Sequence, residues 1–251
     1  MVESRRRVVN GTALPLARQL LRNEKSELQS EIKAFENFSD RLSQIPPQPC
    51  RTDGRTLTST FQSQPSTAQS PQEAVRTTYR DMVLSVDHWK STYGAETAID
   101  SIAQEFGSDI AMYLSGSSSI WSPLVWNQLR IASEEVVGNR QQTVRKIIQD
   151  LSQLDDLQNS LLEIGDELAA IERGHFSFTD RTDGLRTLQR ELDQLVDDQQ
   201  EYLHQREYTN GDIFSSFIYS DLDTDLPGLS ALATTHRKLE RIELRHWCGL
   251  L

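Results

Sequence analysis

Residues 144–171, "VRKIIQDLSQLDDLQNSLLEIGDELAAI", contain the pattern that decides the fold class. Apolar residues recur here at intervals of three or four, which is the spacing of one face of an α-helix. The intervals alternate between three and four residues, as in a heptad repeat, except at one point where two intervals of three follow each other. The stretch therefore predicts a long coiled-coil helix. Its apolar stripe consists of Val144, Ile147, Leu151, Leu154, Leu157, Leu161, Ile164, Leu168 and Ile171.

This helix extends on both sides of the quoted stretch. Ser122-Pro123 is a helix start, so we expect one helix over about 123–173, roughly 75 Å at 1.5 Å per residue. A turn is expected over 174–184, followed by a second coiled-coil helix from Leu185. Because the turn is short, the two helices most economically form an antiparallel hairpin over 123–207. The fold class predicted is all-α, a helical bundle in which shorter amphipathic helices pack on this hairpin.

The remaining chain divides into four further segments. Residues 1–45 contain an amphipathic helix from about Leu14, and Pro46-Pro47 ends it. Residues 46–71 are rich in Pro, Ser, Thr and Gln, and we expect a disordered linker. Ser70-Pro71-Gln72-Glu73 predicts the next helix start, in a subdomain of short helices over 72–122. Apolar residues from Val75 to Trp89 share one face of this helix, which we expect to end at Gly94. Residues 208–251 form a C-terminal helical segment, and all five segments are expected to make one composite domain.

Composition and charge exclude several classes of protein. The net charge is −11, and residues 150–201 alone carry 14 acids against four arginines. Such a surface repels phosphate backbones, so no nucleic-acid partner is expected. The sequence has no apolar run of about 20 residues and no secretory signal, so we expect no membrane span and a cytoplasmic protein. Five lysines against 21 arginines, with the excess of acids, are typical of a halophilic or high-GC source.

The nearest approach to a metal motif is "SDLDTDLPG" at 220–228. A calcium loop that begins at Asp221 requires glycine at its sixth position and glutamate at its twelfth, where this chain has Leu226 and Leu232. A helix start explains the same residues, with Thr224 or Asp225 as the cap and Pro227 in the first turn. The sequence also contains no G-x-S-x-G, no H-E-x-x-H, no P-loop and no dinucleotide-binding glycine run. We therefore expect no metal site, no cofactor and no enzymatic activity.

The most unusual cluster of side chains lies in "YRDMVLSVDHWKSTYG" at 79–94. One interpretation is a recognition surface, and the other is an aromatic core contact with a half-exposed histidine. We favour the core contact, because aromatic residues serve cores more often than surfaces. The candidate residues are Tyr79, Met82, His88, Trp89 and Tyr93.

The same stretch carries a resemblance. With "FENFSDRLSQI" (35–45) and "EFGSDIAMYL" (105–114), followed by the coiled-coil hairpin, it resembles a family of uncharacterised haloarchaeal proteins described only as a domain of unknown function. The similarity covers most of the chain in order, apart from the 46–71 linker and the extreme ends. It implies a coiled-coil-rich helical protein and brings no catalytic residues.

These observations lead to two hypotheses about function. The first is a non-enzymatic scaffold that self-associates, or binds another helical protein, through apolar stripes that one chain cannot fully cover. The second is a small regulatory or sensor module in which residues 79–94 bind a partner or ligand. An enzyme with a helical-bundle site would need convergent ligands such as Glu-x-x-His pairs, and the sequence has none.

Overall fold

A computed structural model describes residues 11–45, 47, 70–94, 97–116, 121–210 and 217–251, with side chains of 207–210 excepted. Within these ranges the chain is all-helical and contains no strand, which confirms the predicted fold class. The helices are α1 (Leu14–Leu42), α2 (Pro71–Met82), α3 (Trp89–Tyr93), α4 (Ala98–Phe106), α5 (Ser108–Ser115), α6 (Pro123–Arg173), α7 (Phe178–Asn210) and α8 (Pro227–Trp247).

The described chain forms two compact units. Unit 1 comprises Met1–Lys25 and Lys146–Leu251, and unit 2 comprises Ser26–Arg145. The division into five segments stays a prediction, and most of the expected linker at 46–71 lies outside the described residues. Helices α1 and α6 each contribute residues to both units.

Unit 1 contains an antiparallel hairpin of α6 and α7. Tyr202 hydrogen-bonds to Asp150 near the start of the pairing, and Ile171 packs against Gly184 at its other end. The two helices therefore run in opposite directions. All nine residues of the predicted apolar stripe are buried by the chain itself. This differs from the expectation that one chain leaves the stripe partly uncovered.

The second helix of the hairpin begins earlier than the sequence pattern suggested. Residue 178, rather than 185, is the first of α7. The Ser177 hydroxyl accepts a hydrogen bond from the Asp180 backbone N–H at 3.1 Å and donates one to the Asp180 carboxylate at 2.7 Å. This local cap satisfies one of the free N–H groups of the first turn and starts the helix soon after α6 ends.

Two further elements pack on the hairpin in unit 1. Helix α8 runs antiparallel to α7, since His246 contacts Thr182 at 2.8 Å and Gly228 contacts Gln199. At the start of α1, Leu14, Ala17 and Leu21 are fully buried, and the Arg18 side chain contacts Asp155.

The start of α8 confirms Pro227 in the first turn and corrects the expected cap. Leu226 occupies the N-cap position, and no side chain caps the helix there. The Thr224 hydroxyl instead accepts a hydrogen bond from the Leu226 N–H at 3.1 Å. That contact closes a turn just before the helix, because a threonine hydroxyl readily bonds the backbone two residues on.

Unit 2 is built around an aromatic core. The predicted helix start at Ser70 is confirmed, because its hydroxyl accepts a hydrogen bond from the Glu73 N–H at 3.2 Å. Gly107 separates α4 from α5 with φ of 93°, and Gly94 follows α3 with φ of 60°. Both values favour glycine. The core side chains include Phe35, Phe38, Tyr79, Trp89, Phe106 and Trp121.

The single helix expected from Val75 to Gly94 is interrupted. Helix α2 ends at Met82, and the Tyr79 carbonyl accepts hydrogen bonds from both Val83 and Leu84 N–H groups, at 2.8 and 3.3 Å. The Ser85 hydroxyl donates to the Asp81 carbonyl at 2.7 Å. A short side chain that bonds the backbone in this way competes with continued helix. The turn lets both Tyr79 and Trp89 reach the same core.

Candidate functional site

The five residues predicted at 79–94 lie at or beside the core of unit 2. Tyr79 and Trp89 are almost fully buried, at 0% and 2% exposure, and Met82 and Tyr93 pack against the same core while partly exposed. The Tyr79 hydroxyl lies 2.8 Å from the Ser101 hydroxyl. Burial raises the pKa of Tyr79. These positions favour the core interpretation for Tyr79 and Trp89.

His88 and Tyr93 converge on a residue that the sequence analysis did not single out. The Glu31 carboxylate, on α1, is buried and lies 2.8 Å from His88 Nε2. The Tyr93 hydroxyl donates to its two oxygens at 2.9 and 3.1 Å. Burial, with the negative charge of Glu31 as the next cause, raises the pKa of Tyr93. A buried carboxylate with several donors is the arrangement that compensates for lost hydration.

Arg140 completes this cluster from α6. Its Nε donates to Glu31 at 2.6 Å, and its two terminal nitrogens bind Glu105 of α4 at 2.9 and 2.8 Å. Burial lowers the pKa of Arg140, but hydrogen bonds and charge attraction from Glu105 and Glu31 outweigh burial and raise it. The guanidinium also lies 4.7 Å from the centre of the Phe35 ring.

The cluster joins four helices through paired charges, and its evident role is to fix their arrangement. Every charged group in it has an opposite partner. A sequence signal for Glu31 existed, because it occupies a core position in the heptads of α1. Glu105 and Arg140 gave no such signal, since a single sequence does not reveal which helices meet.

A second feature lies where the hairpin of unit 1 turns. The Phe178 ring lies 4.3 Å from the His246 ring and 5.6 Å from the Trp247 ring. Nevertheless Phe178 and Trp247 remain 57% and 58% exposed. Phe176, two residues before Phe178, and Leu250, three residues after Trp247, are exposed as well. We call these four residues, Phe176, Phe178, Trp247 and Leu250, the tip patch.

Exposed aromatic residues of this kind are typical of protein interfaces. Tryptophan and tyrosine, with arginine, dominate the energetically important positions of interfaces, and contiguous apolar surface on a soluble chain usually marks an interaction site. Arg181 and Arg245 lie next to the patch, bonded to the Gly174 carbonyl and to Glu172. The tip patch is therefore a candidate interaction surface of unit 1.

Within the described ranges, no group of three or more His, Cys, Asp or Glu side chains is arranged to hold a metal ion. None of the helices in the described part of the chain has an apolar run that could cross a bilayer.

Comparison with known proteins places the chain in one family. Residues 12–243 match the family model described as a domain of unknown function (DUF7260). No curated protein and no solved structure is significantly similar to the chain. The match extends from the start of α1 into α8 and includes the Glu31 cluster. The chain therefore belongs to this family, the domain of unknown function DUF7260.

Proposed function

We propose that this protein is a non-enzymatic scaffold that self-associates through the tip patch. The observation that carries the proposal is the exposure of Phe178 and Trp247, two large aromatic side chains in contact at one end of unit 1. A two-fold interface between identical patches would cover both rings of each copy. Two-fold dimers are the commonest form of homo-oligomer. The apolar stripe of α6 does not support association, because its own chain covers it.

The distribution of charge favours a second copy as the occupant. Residues 150–171 carry six acids and no base, and residues 187–201 carry five acids and one arginine. The region between them, 172–186, has three acids and three arginines. Two copies therefore repel each other along the helices of the hairpin but meet without net repulsion at the turn. Association at the tip therefore has a lower electrostatic cost than association along the helices of the hairpin.

The test is light scattering coupled to size-exclusion chromatography at tens of micromolar protein. We expect the wild type to be a dimer and the double variant Phe178→Gln, Trp247→Gln to be a monomer with unchanged circular dichroism. The matched control is Met112→Gln, Leu124→Gln, which changes two equally exposed apolar residues of unit 2. This control should dimerise as the wild type does.

The outcomes separate self-association from binding of another protein. A wild-type monomer at this concentration would contradict the proposal. A dimer that persists in the double variant would place the interface elsewhere. The alternative, in which residues 79–94 bind a partner or ligand, has less support because Tyr79 and Trp89 face the core.

We further propose that the protein works in a salt-rich cytoplasm, with a haloarchaeal source. The support is compositional: a net charge of −11 and five lysines against 21 arginines. Salt would screen the repulsion among the acids of the hairpin, so the melting temperature should rise from low to multimolar KCl. An unchanged or falling melting temperature would contradict this setting.

A further inference from the structure

A small cavity lies in unit 1 between α6, α7 and the start of α8. Asp150, Gln199, Tyr202, Tyr219 and Gly228 contribute to its lining. Asp150 and Gln199 are each only 4% exposed, so their polar atoms are removed from bulk water. A buried polar atom without a hydrogen-bond partner raises the free energy of the folded state, so most such atoms in proteins have a partner.

Among the residues that the structure describes, two oxygen atoms of this cavity accept no hydrogen bond. One is Asp150 Oδ2, and the other is Gln199 Oε1. The second oxygen of Asp150 does accept a hydrogen bond, from the Tyr202 hydroxyl. Arg206 Nη2 lies 3.3 Å from Asp150 Oδ2 and balances its charge, but that contact is not a hydrogen bond. The cavity therefore presents two unsatisfied acceptors and no unpaired negative charge on Asp150.

Gly228 leaves room for the Gln199 side chain. A Cβ atom at Gly228 would lie 2.9 Å from Gln199 Nε2, closer than real Cβ contacts, and 3.0 Å from Gln199 Cδ, closer than most of them. The absence of a side chain at Gly228 thus makes the room that the carboxamide occupies. Substitution at Gly228 would displace the carboxamide.

We propose that the cavity is a binding site for one water molecule, which donates one hydrogen bond to Asp150 Oδ2 and the other to Gln199 Oε1. Water supplies two donors, which is the number that the site lacks. The cavity is large enough to hold one water molecule and too small to hold a metabolite. A small cation fits the charges less well, because Arg206 already lies beside Asp150.

The experiment is a crystal structure of the full chain from crystals grown in rubidium chloride, with data collected at the rubidium absorption edge. We expect a solvent peak within hydrogen-bonding distance of both oxygens and no anomalous signal at that position. An anomalous peak there would show a monovalent cation and overturn the proposal. An empty cavity would overturn it as well.

A variant supplies a measurement in solution. Gly228→Ala should lower the melting temperature, because its Cβ displaces the Gln199 carboxamide and the bridged water is lost. The matched control is Gly138→Ala in α6, where an added Cβ meets nothing within 4 Å, so alanine should raise the melting temperature. A melting temperature that rises equally in both variants would contradict the proposed role of Gln199.

Discussion

Arg140 and Glu31 are 109 positions apart in the sequence, and a hydrogen bond of 2.6 Å joins them in the interior of unit 2. Their side chains are 12% and 2% exposed. The bond ties α6 to α1, and Arg140 carries the same link on to Glu105 of α4. Removal of one member of such a pair costs more than the pair contributes, because a buried charge is left without a partner.

The first prediction concerns this pair. Arg140→Met leaves Glu31 and Glu105 buried without their cation, so it should lower the free energy of unfolding by about 3–5 kcal/mol. The measurement is urea unfolding followed by circular dichroism. The control is Arg130→Met, which removes an exposed ion pair with Glu134 and should cost about 0.5 kcal/mol or less. Equal losses in the two variants would show that the cluster does not stabilise unit 2.

The second prediction concerns Trp89. Because its ring is buried against Phe35, Trp89→Ala should lower the free energy of unfolding by about 3–5 kcal/mol through the cavity it creates. The control is Met112→Ala, an exposed site where the change should be within about 0.5 kcal/mol. If Trp89→Ala retained wild-type stability in urea, the ring would not serve the core, and a recognition role for residues 79–94 would regain support.

The third prediction is a pH dependence. Burial raises the pKa of Asp150 above its ordinary value of 3.8, although the Tyr202 hydrogen bond and the Arg206 charge partly oppose it. The folded state therefore holds this proton to a higher pH than the unfolded state does. It follows that the contribution of Asp150 to stability is fully present below its unfolded pKa and is lost as pH rises through its folded pKa.

Comparison with Asp150→Asn isolates that contribution. The variant does not titrate at this position, so its stability relative to the wild type should increase as the pH is raised from about 3.5. Urea unfolding of both proteins at matched pH values measures the difference, in which the titration of all other groups largely cancels. A relative stability that falls with rising pH would mean that Tyr202 and Arg206 outweigh burial and lower the pKa.

The fourth prediction concerns the start of α2. Ser70→Ala removes the hydroxyl that accepts from the Glu73 N–H and should cost about 1 kcal/mol. The control is Ser30→Ala in the middle of α1, where the exposed hydroxyl only bonds the Ser26 carbonyl and alanine is the better helix former. Thermal melts of the two variants should therefore shift in different directions. A melt of Ser70→Ala identical to the wild type would show that the cap does not stabilise α2.

Local signals in the sequence predicted much of the helical framework. The spacing of the apolar stripe, with Ser122-Pro123 before it, predicts a helix over 123–173, and α6 has these bounds. Ser70-Pro71 and Pro227 mark the starts of α2 and α8. Such signals act within one turn of helix or along one face, so they can be recognised without knowledge of the partner surface.

Contacts between distant segments could not be predicted in the same way. Periodicity identified the stripe of α6 but not the surfaces that cover it, and it placed Val83 and Trp89 on one continuous helix that the structure interrupts. The pairing of Glu31 with Arg140 depends on which helices meet. The tip patch was missed because Phe178 and Trp247 are separated by most of α7 and α8 and become neighbours only when α8 packs antiparallel to α7.

The most direct test of self-association at the tip is the distance between equivalent positions of two copies. Cys248 is exposed and adjoins Trp247, and Cys50→Ser leaves it as the single cysteine of the chain. A nitroxide attached to Cys248 should give a clear dipolar signal between copies in pulsed electron paramagnetic resonance, and the Phe178→Gln, Trp247→Gln variant should give none. A labelled protein that is dimeric by light scattering but shows no dipolar signal would contradict association through the tip patch.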